Sequence, residues 1–355
     1  MKRSSAATTA AASSGEALGA TIESFGRRFM AGGRLYRASS VPELTVLAHH
    51  RVLEAVSAAE AIDRVRDALV RFHRGEWSMP PKVYLDSPPF GDFRAMPARG
   101  EGVALLKWVT SFPDNPRQGL PTVTGVICLS DARTGEPLML LDARAVTALR
   151  TGAVAAVATQ ALAPPQARSV GIIGCGLHGA WTARCHAVAG YGPGVCHDPN
   201  ERAAEDLAAE LGWSTGSRAE ALQCDAVSCI TPGHEIVIDA GELRPGLHLN
   251  MLGADAPGKA EASAGAVASC SLFCDEWEQA SHGGELTGAI AAGLVTREQV
   301  TELGAVLAGA ARGRPGPQAV TLFDSTGLAI QDLAIALAVL QAWREGRVEG
   351  QTVRL

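Results

Sequence analysis

The chain has 355 residues, a length that suggests two domains, and its 47% hydrophobic content is enough for substantial cores. The formal net charge is −6 and no block of Lys and Arg stands out, which argues against nucleic acid or an acidic membrane surface as a partner. The eight cysteines form no C-x-x-C pair, so we predict a reducing cytoplasmic environment and no metal site.

The first part of the chain predicts a tail followed by an antiparallel sheet. Residues 1–40 begin with an Ala/Ser/Thr tract that lacks the apolar segment of a secretory signal, and we expect a disordered or loosely attached tail. Apolar residues at helical spacing after Ser57 predict an amphipathic helix over 57–74. Strand-like segments separated by Pro- and Gly-rich turns then cover 82–85, 103–110, 122–130 and 138–142.

Strands and helices then alternate, which is typical of a parallel sheet with helices on its faces. The predicted order is helix 144–162, strand 168–173, helix 178–190, strand 194–198, helix 201–211, strands 225–230 and 246–252, helix around 297–311, strand 320–323 and helix 327–345. The best candidate for a membrane span, residues 145–164, carries Arg150, and we predict a buried helix there instead.

A glycine motif connects the strand 168–173 to the helix 178–190. Gly174, Gly176 and Gly179 have the spacing G-x-G-x-x-G, in which they allow a tight turn, close approach of a pyrophosphate, and close helix–strand packing. The helix N-terminus adds unpaired N–H groups for the phosphates. Asp198 ends the next strand, close to the roughly 20-residue offset at which a carboxylate binds the adenosine ribose. We predict a dinucleotide site, with an ordinary strand–helix turn as the alternative.

Four charged residues stand where a buried functional site is plausible: Lys82, Lys107, Arg150 and Asp255. Each has a simpler interpretation, since Lys107 could reach solvent from a strand end, Arg150 could lie on a solvated helix face, and Asp255 could form a turn. Taken together, the cations are suited to hold a small carboxylate beside a nicotinamide, while the carboxylate handles a proton.

Several ordered segments resemble the ornithine cyclodeaminase/mu-crystallin family, and most closely its archaeal-type alanine dehydrogenase branch. They are residues 79–85 (MPPKVYL), 91–97 (GDFRAMP), 106–109 (LKWV), 115–123 (NPRQGLPTV), 149–153 (LRTGA), 253–259 (GADAPGK), 282–285 (HGGE) and 323–332 (FDSTGLAIQD). The resemblance spans roughly residues 48 to 340.

The resemblance implies a homodimer and an α/β fold, in which a Rossmann-type doubly wound parallel sheet is inserted in a mixed α+β substrate-binding and dimerisation domain. The implied domain bounds are 41–145 plus 317–355 for the mixed domain and 146–316 for the NAD-binding domain. It implies that Lys82, Lys107 and Arg150 bind the substrate carboxylate with the help of Arg94, and that Asp255 and Lys107 are catalytic. The implied cofactor-binding residues are Thr151, Gly174, Gly176, Leu177, His178, Gly179, Asp198, Thr231 and Ser325.

The resemblance predicts an NAD-dependent oxidoreductase that interconverts a small L-amino acid and its 2-oxo acid or imine. Asp198 favours NAD over NADP, because a 2′-phosphate would meet a carboxylate. The alternatives are a cyclodeaminase with recycled NAD, an opine-type or ketimine reductase, and a non-enzymatic binding protein. The loop Ser111-Phe-Pro-Asp-Asn115 replaces the family's more usual His-containing version, so the substrate could differ from alanine.

Overall fold

The computed structural model describes residues 43–233 and 235–354. Its strands are β1 (Glu43–Leu47), β2 (Val83–Ser87), β3 (Gly91–Gly100), β4 (Val103–Ser111), β5 (Val123–Asp131), β6 (Pro137–Asp142), β7 (Val170–Ile173), β8 (Gly194–His197), β9 (Ser214–Thr215), β10 (Ala226–Cys229), β11 (His248–Met251), β12 (Ser271–Cys274), β13 (Val300–Glu302), β14 (Thr321–Asp324) and β15 (Gln351–Arg354). The predicted tail, residues 1–40, lies outside the described residues.

The helices separate the strands along the chain. They are α1 (His49–Ala55), α2 (Ala58–His73), α3 (Ala143–Leu162), α4 (Leu177–Val188), α5 (Glu201–Leu211), α6 (Arg218–Ala221), α7 (Ala264–Ala268), α8 (Trp277–Gly283), α9 (Thr287–Ala291), α10 (Leu303–Leu307) and α11 (Ala329–Arg344). Short 3-10 turns cover Asn115–Gln118, Ala240–Glu242 and Arg297–Gln299.

The first sheet has the order β15-β1-β6-β5-β4-β3-β2 and is antiparallel except for the parallel pair β1 and β6. Its long strands alternate between a buried and an exposed face, since successive side chains point to opposite sides. On β4, Leu105, Lys107 and Val109 are buried, while Leu106 and Trp108 are exposed. Lys107 therefore lies on the face that packs against the helices.

The second sheet is entirely parallel and has the order β13-β12-β14-β11-β10-β7-β8-β9. The chain moves outward from β7 to β8 and β9, then returns to place β10 on the other side of β7. This reversal is the switch point at which doubly wound sheets bind ligands beyond the carboxyl ends of their strands. The predicted doubly wound sheet is present, and the glycine motif follows β7.

Helix α3 is the central element of the described chain. Its N-cap, Asp142, accepts a hydrogen bond from the backbone N–H of Ala145 at 2.8 Å and also contacts Nδ1 of His49 at 2.9 Å. Among the described residues, α3 is the one helix long and apolar enough to cross a membrane, but 83% of that stretch is buried in the protein. The prediction of a buried core helix is confirmed.

A polar network lies in the core beneath α3 and α4. Asn250 donates to Oγ1 of Thr159 at 2.9 Å, and Thr159 in turn contacts Nε2 of His186 at 3.0 Å. On its other side Asn250 contacts Nε2 of His248 at 3.0 Å through its amide oxygen. All four side chains are fully buried. These polar groups satisfy one another, so the network fixes how the helices sit on the parallel sheet.

Some predicted elements are wrong in detail. The helix predicted around 297–311 is a 3-10 turn, the strand β13 and only five residues of helix α10, Leu303–Leu307. The strands β3, β12 and β15 were not predicted. Strand β14 joins the parallel sheet between β11 and β12, although the boundary at residue 317 placed it in the mixed domain. The domain bounds themselves stay a prediction.

Candidate active site

The glycine motif forms the turn between β7 and α4. Gly174 has φ +99°, and a Cβ at this position would lie 2.5 Å from the carbonyl oxygen of Ile230. A Cβ on Gly179 would collide with the carbonyl oxygen of Gly174. At Gly176, by contrast, no atom of the described residues lies within 4 Å of such a Cβ. The loop is therefore tight where it folds back on itself and open at the N-cap of α4, the geometry that a pyrophosphate needs.

Asp198 lies directly after β8 and is tied to the glycine loop. Its Oδ2 accepts from the backbone N–H of Cys175 at 2.7 Å, and its Oδ1 accepts from that of Asn200 at 2.8 Å. Asp198 also lines a cavity of about 400 Å³ together with Glu201 and Glu205. Three acidic residues around one cavity suit ribose hydroxyls and repel a 2′-phosphate. The cavity therefore fits the adenosine end of NAD.

Lys107 and Arg150 converge on one buried carboxylate. Lys107 Nζ donates to Oδ1 of Asp332 at 2.9 Å and to Oγ1 of Thr147 at 2.7 Å. Arg150 Nε lies 3.7 Å from the same Oδ1, and its guanidinium packs so closely on Gly327 that a Cβ there would collide with it. The exposed fraction of the side chain is 2% for Lys107 and 12% for Arg150. The alternatives of a solvent-reaching lysine and a solvated arginine are wrong.

Burial lowers the pKa of Lys107 to about 8, while the Asp332 carboxylate acts to raise it. The positive charges of Arg150 and Arg94 lower it further. Burial also lowers the pKa of His178 to about 4, and the charges of Arg150 and Lys107 act in the same direction. His178, in the first turn of α4, is therefore neutral at pH 7 and close to the cations.

Asp255 lies just past β11 and forms two ion pairs. Its Oδ2 accepts from Nη1 of Arg94 at 2.8 Å, and its Oδ1 accepts from Nζ of Lys259 at 2.7 Å. Arg94 also donates to both carboxylate oxygens of Asp92, at 2.6 and 3.1 Å. Burial acts to raise the pKa of Asp255, but Arg94 and Lys259 outweigh burial and hold it well below its ordinary value. The simple interpretation of Asp255 as a turn former does not account for these pairs.

Lys82 lies immediately before β2 and faces the same region. Its Nζ donates to the carbonyl oxygen of Thr326 at 2.8 Å. Burial lowers the pKa of Lys82 to about 8, while the charges of Asp255 and Asp275 raise it. Lys82 and Asp255 line a cavity of about 510 Å³, with Met79 and Gln279 among its other lining residues. The structure thus brings Lys82, Arg94 and Asp255 together at the carboxyl edge of the parallel sheet.

Buried carboxylates hold the loops at this edge. Glu261 accepts from the backbone N–H and hydroxyl of Thr231, at 2.7 and 2.8 Å, and from the N–H of Gly253 at 2.7 Å. Asp275 accepts from the hydroxyl of Ser325 at 3.1 Å and from the N–H of Gly327 at 2.9 Å. Burial raises the pKa of Asp275 to about 6. Two predicted cofactor residues, Thr231 and Ser325, thus direct their hydroxyl groups to buried acids.

Thr151 is buried on α3, the helix that packs against α4. Its neighbour Gly152 packs against α4, where a Cβ would collide with the carbonyl oxygen of Trp181. Close helix packing therefore explains the glycine at this position. Leu177 is the first residue of α4, next to the open N-cap at Gly176.

Comparison with known proteins agrees with this geometry. The model of the "Ornithine cyclodeaminase/mu-crystallin family" matches residues 43–347. Alanine dehydrogenase of Archaeoglobus fulgidus is 38% identical over 306 residues, which cover 84% of this chain and 95% of that protein. Iminosuccinate reductase of Paracoccus denitrificans is 35% identical over 240 residues, which cover 65% of this chain and 74% of that protein.

A solved structure is also similar: an archaeal alanine dehydrogenase dimer with bound NAD. It has a TM-score of 0.84 and 37% identity, and the match covers 88% of this chain and 99% of that one. The chain belongs to the ornithine cyclodeaminase/mu-crystallin family. Membership confirms the predicted family and fold class, and the matched dehydrogenases and reductases confirm the enzyme class and NAD as the cofactor.

The groups that pair with the predicted cations were not predicted from the sequence. Asp332 and Lys259 were present in the matched segments but were given no role, and Glu261 and Asp275 were not considered. A signal existed for Asp332, since an Asp in an otherwise apolar helix is rarely buried without a charged partner. Lys259 follows Asp255 at the i,i+4 spacing of helical pairs, although the loop between them is not a helix.

Proposed function

We propose that the chain is an NAD-dependent dehydrogenase that interconverts a small L-amino acid and its 2-oxo or imino acid. The observation that carries the proposal is a set of buried charged groups beside an open dinucleotide loop: Lys82 and Arg94 near Asp255, and Lys107 and Arg150 near Asp332. Cations for a carboxylate and a carboxylate for an ammonium group match the two charges of an amino acid. The similarity to alanine dehydrogenase supports the same assignment.

The cations would bind the substrate carboxylate. Lys107 and Arg150 are held from behind by Asp332, which leaves their remaining N–H groups for a ligand. An arginine can hold a carboxylate through two parallel hydrogen bonds, which fixes the orientation of the substrate as well as its position. Lys82 lies at the cavity, where its charge is available to the same group.

Asp255 would bind the substrate ammonium and accept a proton from it. Its low pKa keeps it ionised at neutral pH, so it attracts the ammonium, and it would take the ammonium proton when substrate binding draws Arg94 or Lys259 away from it. Bound NAD supplies the redox chemistry. The residues that fit it are Gly174, Gly176 and Gly179 at the pyrophosphate, the α4 N-terminus with Leu177 and His178, and Asp198 at the ribose. Thr151, Thr231 and Ser325 complete the proposed cofactor set.

We also propose a homodimer in the cytoplasm. The eight cysteines are free in the described structure, which suits a reducing compartment. The exposed face of the first sheet carries the apolar side chains Val83, Leu85, Leu106, Trp108 and Val126 on strands β2, β4 and β5, and Ala95 of the intervening strand β3 pairs with both Val83 and Trp108. Such a continuous apolar patch marks an interaction surface, and a second copy of the chain is the occupant we propose.

The test incubates purified protein with NAD and a panel of L-amino acids, and follows reduced cofactor and ammonia together. A dehydrogenase produces both in equal amounts. Ammonia without net reduced cofactor identifies a cyclodeaminase instead, and turnover only with cyclic imines and NADH identifies an imine reductase. A Lys107→Met variant should raise KM for the amino acid while leaving NAD affinity in place. An unchanged KM would remove Lys107 from the carboxylate site.

A further inference from the structure

One buried acid serves two of the proposed substrate-binding cations. Asp332 lies in the first turn of α11 and is fully buried. Its Oδ1 accepts from Lys107 Nζ, which comes from β4, and lies 3.7 Å from Arg150 Nε, which comes from α3. The three residues belong to three separate elements, so the contact fixes the mutual position of α3, β4 and α11 at the site.

The hydrogen bonds that Lys107 makes with the described residues use two of its three N–H donors. Thr147 Oγ1 donates to the carbonyl oxygen of Ala143 at 2.6 Å, so it can only accept from Lys107. A lysine ammonium has three N–H donors. Asp332 and Thr147 take two of them, and no other acceptor for Lys107 is found among residues 43–233 and 235–354. The remaining N–H is therefore held in a fixed direction.

One carboxylate oxygen of Asp332 also accepts no hydrogen bond from the described residues. Among the described residues, neither its Oδ2 nor Arg150 Nε has a hydrogen-bond partner, although both atoms are buried. A small rotation of either side chain would join these groups. The charged and titratable groups that face Lys107 from the other packed elements are Arg150, Arg94 and His178, and none of them is an acid.

We propose that Asp332 is a positioning residue, which holds Lys107 and Arg150 aligned for a substrate carboxylate. The proposal rests on the proposed function, because it presumes that these two cations bind the substrate. Asp332 itself stands behind the cations and is not expected to touch the substrate. Without it, two positive side chains would share a buried space with no acid in contact, a costly arrangement.

The decisive variant is Asp332→Asn, which keeps the shape of the side chain and removes its charge. Because the Asp332 charge raises the pKa of Lys107, its loss lets that pKa fall below about 8. We expect kcat/KM for the amino acid to fall by about tenfold or more, mainly through KM. We also expect the alkaline limb of the pH profile of kcat/KM to move about one pH unit to the acid side. NADH affinity, measured by fluorescence titration, should stay close to that of the parent enzyme.

Two further variants separate charge from structure. Thr147→Val removes the other Lys107 partner without changing charge, so it should raise KM but leave the alkaline limb in place. Asp225→Asn is the matched control, since Asp225 is a hydrogen-bonded acid at the opposite, amino-terminal edge of the parallel sheet. It should lower the melting temperature and leave both the pH profile and KM unchanged.

An Asp332→Asn enzyme with the parent KM and pH profile overturns the proposal. If that variant does not fold, Asp332→Glu decides, since it keeps the charge but shifts the carboxylate. We then expect a raised KM with the alkaline limb retained, and an unchanged KM overturns the proposal. Failure of the proposed function looks different, because Lys107→Met would then leave KM unchanged. An impaired Lys107→Met beside a normal Asp332→Asn rejects only the role of Asp332.

Discussion

Asp255 carries a positive partner on each of its carboxylate oxygens, Arg94 on one and Lys259 on the other. Because these partners keep its pKa well below the ordinary value, Asp255 is ionised at neutral pH but binds a proton weakly. To take a proton from the substrate, or to hold one for the reverse reaction, it must first lose a partner. A substrate carboxylate that draws Arg94 toward itself would have this effect.

The proton-accepting role gives a prediction for Asp255→Asn. The amide cannot accept a proton, so we expect kcat to fall by about 10²- to 10⁴-fold, the usual range for loss of a general base. NADH affinity should change little, because Asp255 lines the cavity that contains Lys82 and not the one at Asp198. Steady-state kinetics and NADH titration measure the two quantities.

Asp92→Asn is the matched control for this prediction. Asp92 also pairs with Arg94 but does not line the cavity, so its loss should reduce kcat much less. If both variants retain turnover to the same degree, Asp255 acts only by holding Arg94.

The charged site residues were predictable from the sequence, but their partners were not. Residue types in matched motifs predicted Lys82, Lys107, Arg150 and Asp255, and the structure places Lys82 near Asp255 and Lys107 near Arg150. Their partners could not be predicted in this way, because pairing depends on tertiary contact. Asp332 lies 225 residues from Lys107 in the chain. Only the path of α11 past β4 makes them neighbours.

At the scale of elements, we expect different glycines of the loop between β7 and α4 to serve NAD binding and fold stability. Gly176→Ala adds a methyl group that meets no atom of the described residues, and the φ of Gly176, −67°, suits alanine. We therefore expect an unchanged melting temperature and a weaker affinity for NADH, by about tenfold, because the methyl group occupies the path of a phosphate. Thermal melts and fluorescence titration test this prediction.

Gly179→Ala is the contrasting variant in the same loop. Its methyl group would collide with the Gly174 backbone, so it should destabilise the fold by about 1–3 kcal/mol, the usual cost of overpacking. A Gly176→Ala enzyme that binds NADH as tightly as the parent would place the pyrophosphate elsewhere.

The buried network beneath α3 predicts a loss of stability in acid. Burial lowers the pKa of His186 to about 4, whereas an unfolded histidine titrates near 6.5. Below about pH 6.5 the unfolded state therefore binds more protons than the folded state, and stability falls as the pH drops toward 4. His186→Gln should flatten this fall by up to about 1.4 kcal/mol per pH unit.

Urea unfolding between pH 4 and pH 8 measures the effect, with His49→Gln as the control. His49 is also a hydrogen-bonded histidine, but its side chain is 36% exposed. An identical pH slope in parent and His186→Gln proteins would mean that His186 is not held neutral.

Elements were predictable where periodicity and caps agreed. Ser57 caps α2 through the N–H of Glu60, and Asp142 caps α3, so both helices begin within a residue of the predicted position. The segment 297–311 failed because its apolar residues also fit a strand and a short helix in succession. Strand β12 has only four residues, too few for alternation to show.

At the scale of the whole molecule, the apolar face of the first sheet predicts the oligomeric state. Trp108→Glu places a charge at the centre of that face, next to Val126 and stacked against Phe93. We expect it to convert a dimer into a monomer in light scattering coupled to gel filtration. Val188→Glu, at a more exposed apolar position at the end of α4, should leave the mass unchanged. A dimeric Trp108→Glu protein would place the interface elsewhere.

The overall architecture was predicted mainly by ordered motifs, since strand and helix alternation alone does not give strand order. The glycine loop and Asp198 predicted the dinucleotide half of the parallel sheet. The position of β14 between β11 and β12 could not be predicted, because a strand's neighbours depend on packing across the whole sheet.

That position of β14 has a consequence for biosynthesis. As the chain leaves the ribosome, β11 and β12 emerge well before β14, yet they cannot pair because β14 must lie between them. Until then two unpaired strand edges face each other, and such edges are prone to aggregate and to attract chaperones. The same last segment delivers α11 and Asp332. A chain that ends before this segment therefore lacks both the strand that closes the parallel sheet and the acid that pairs with Lys107.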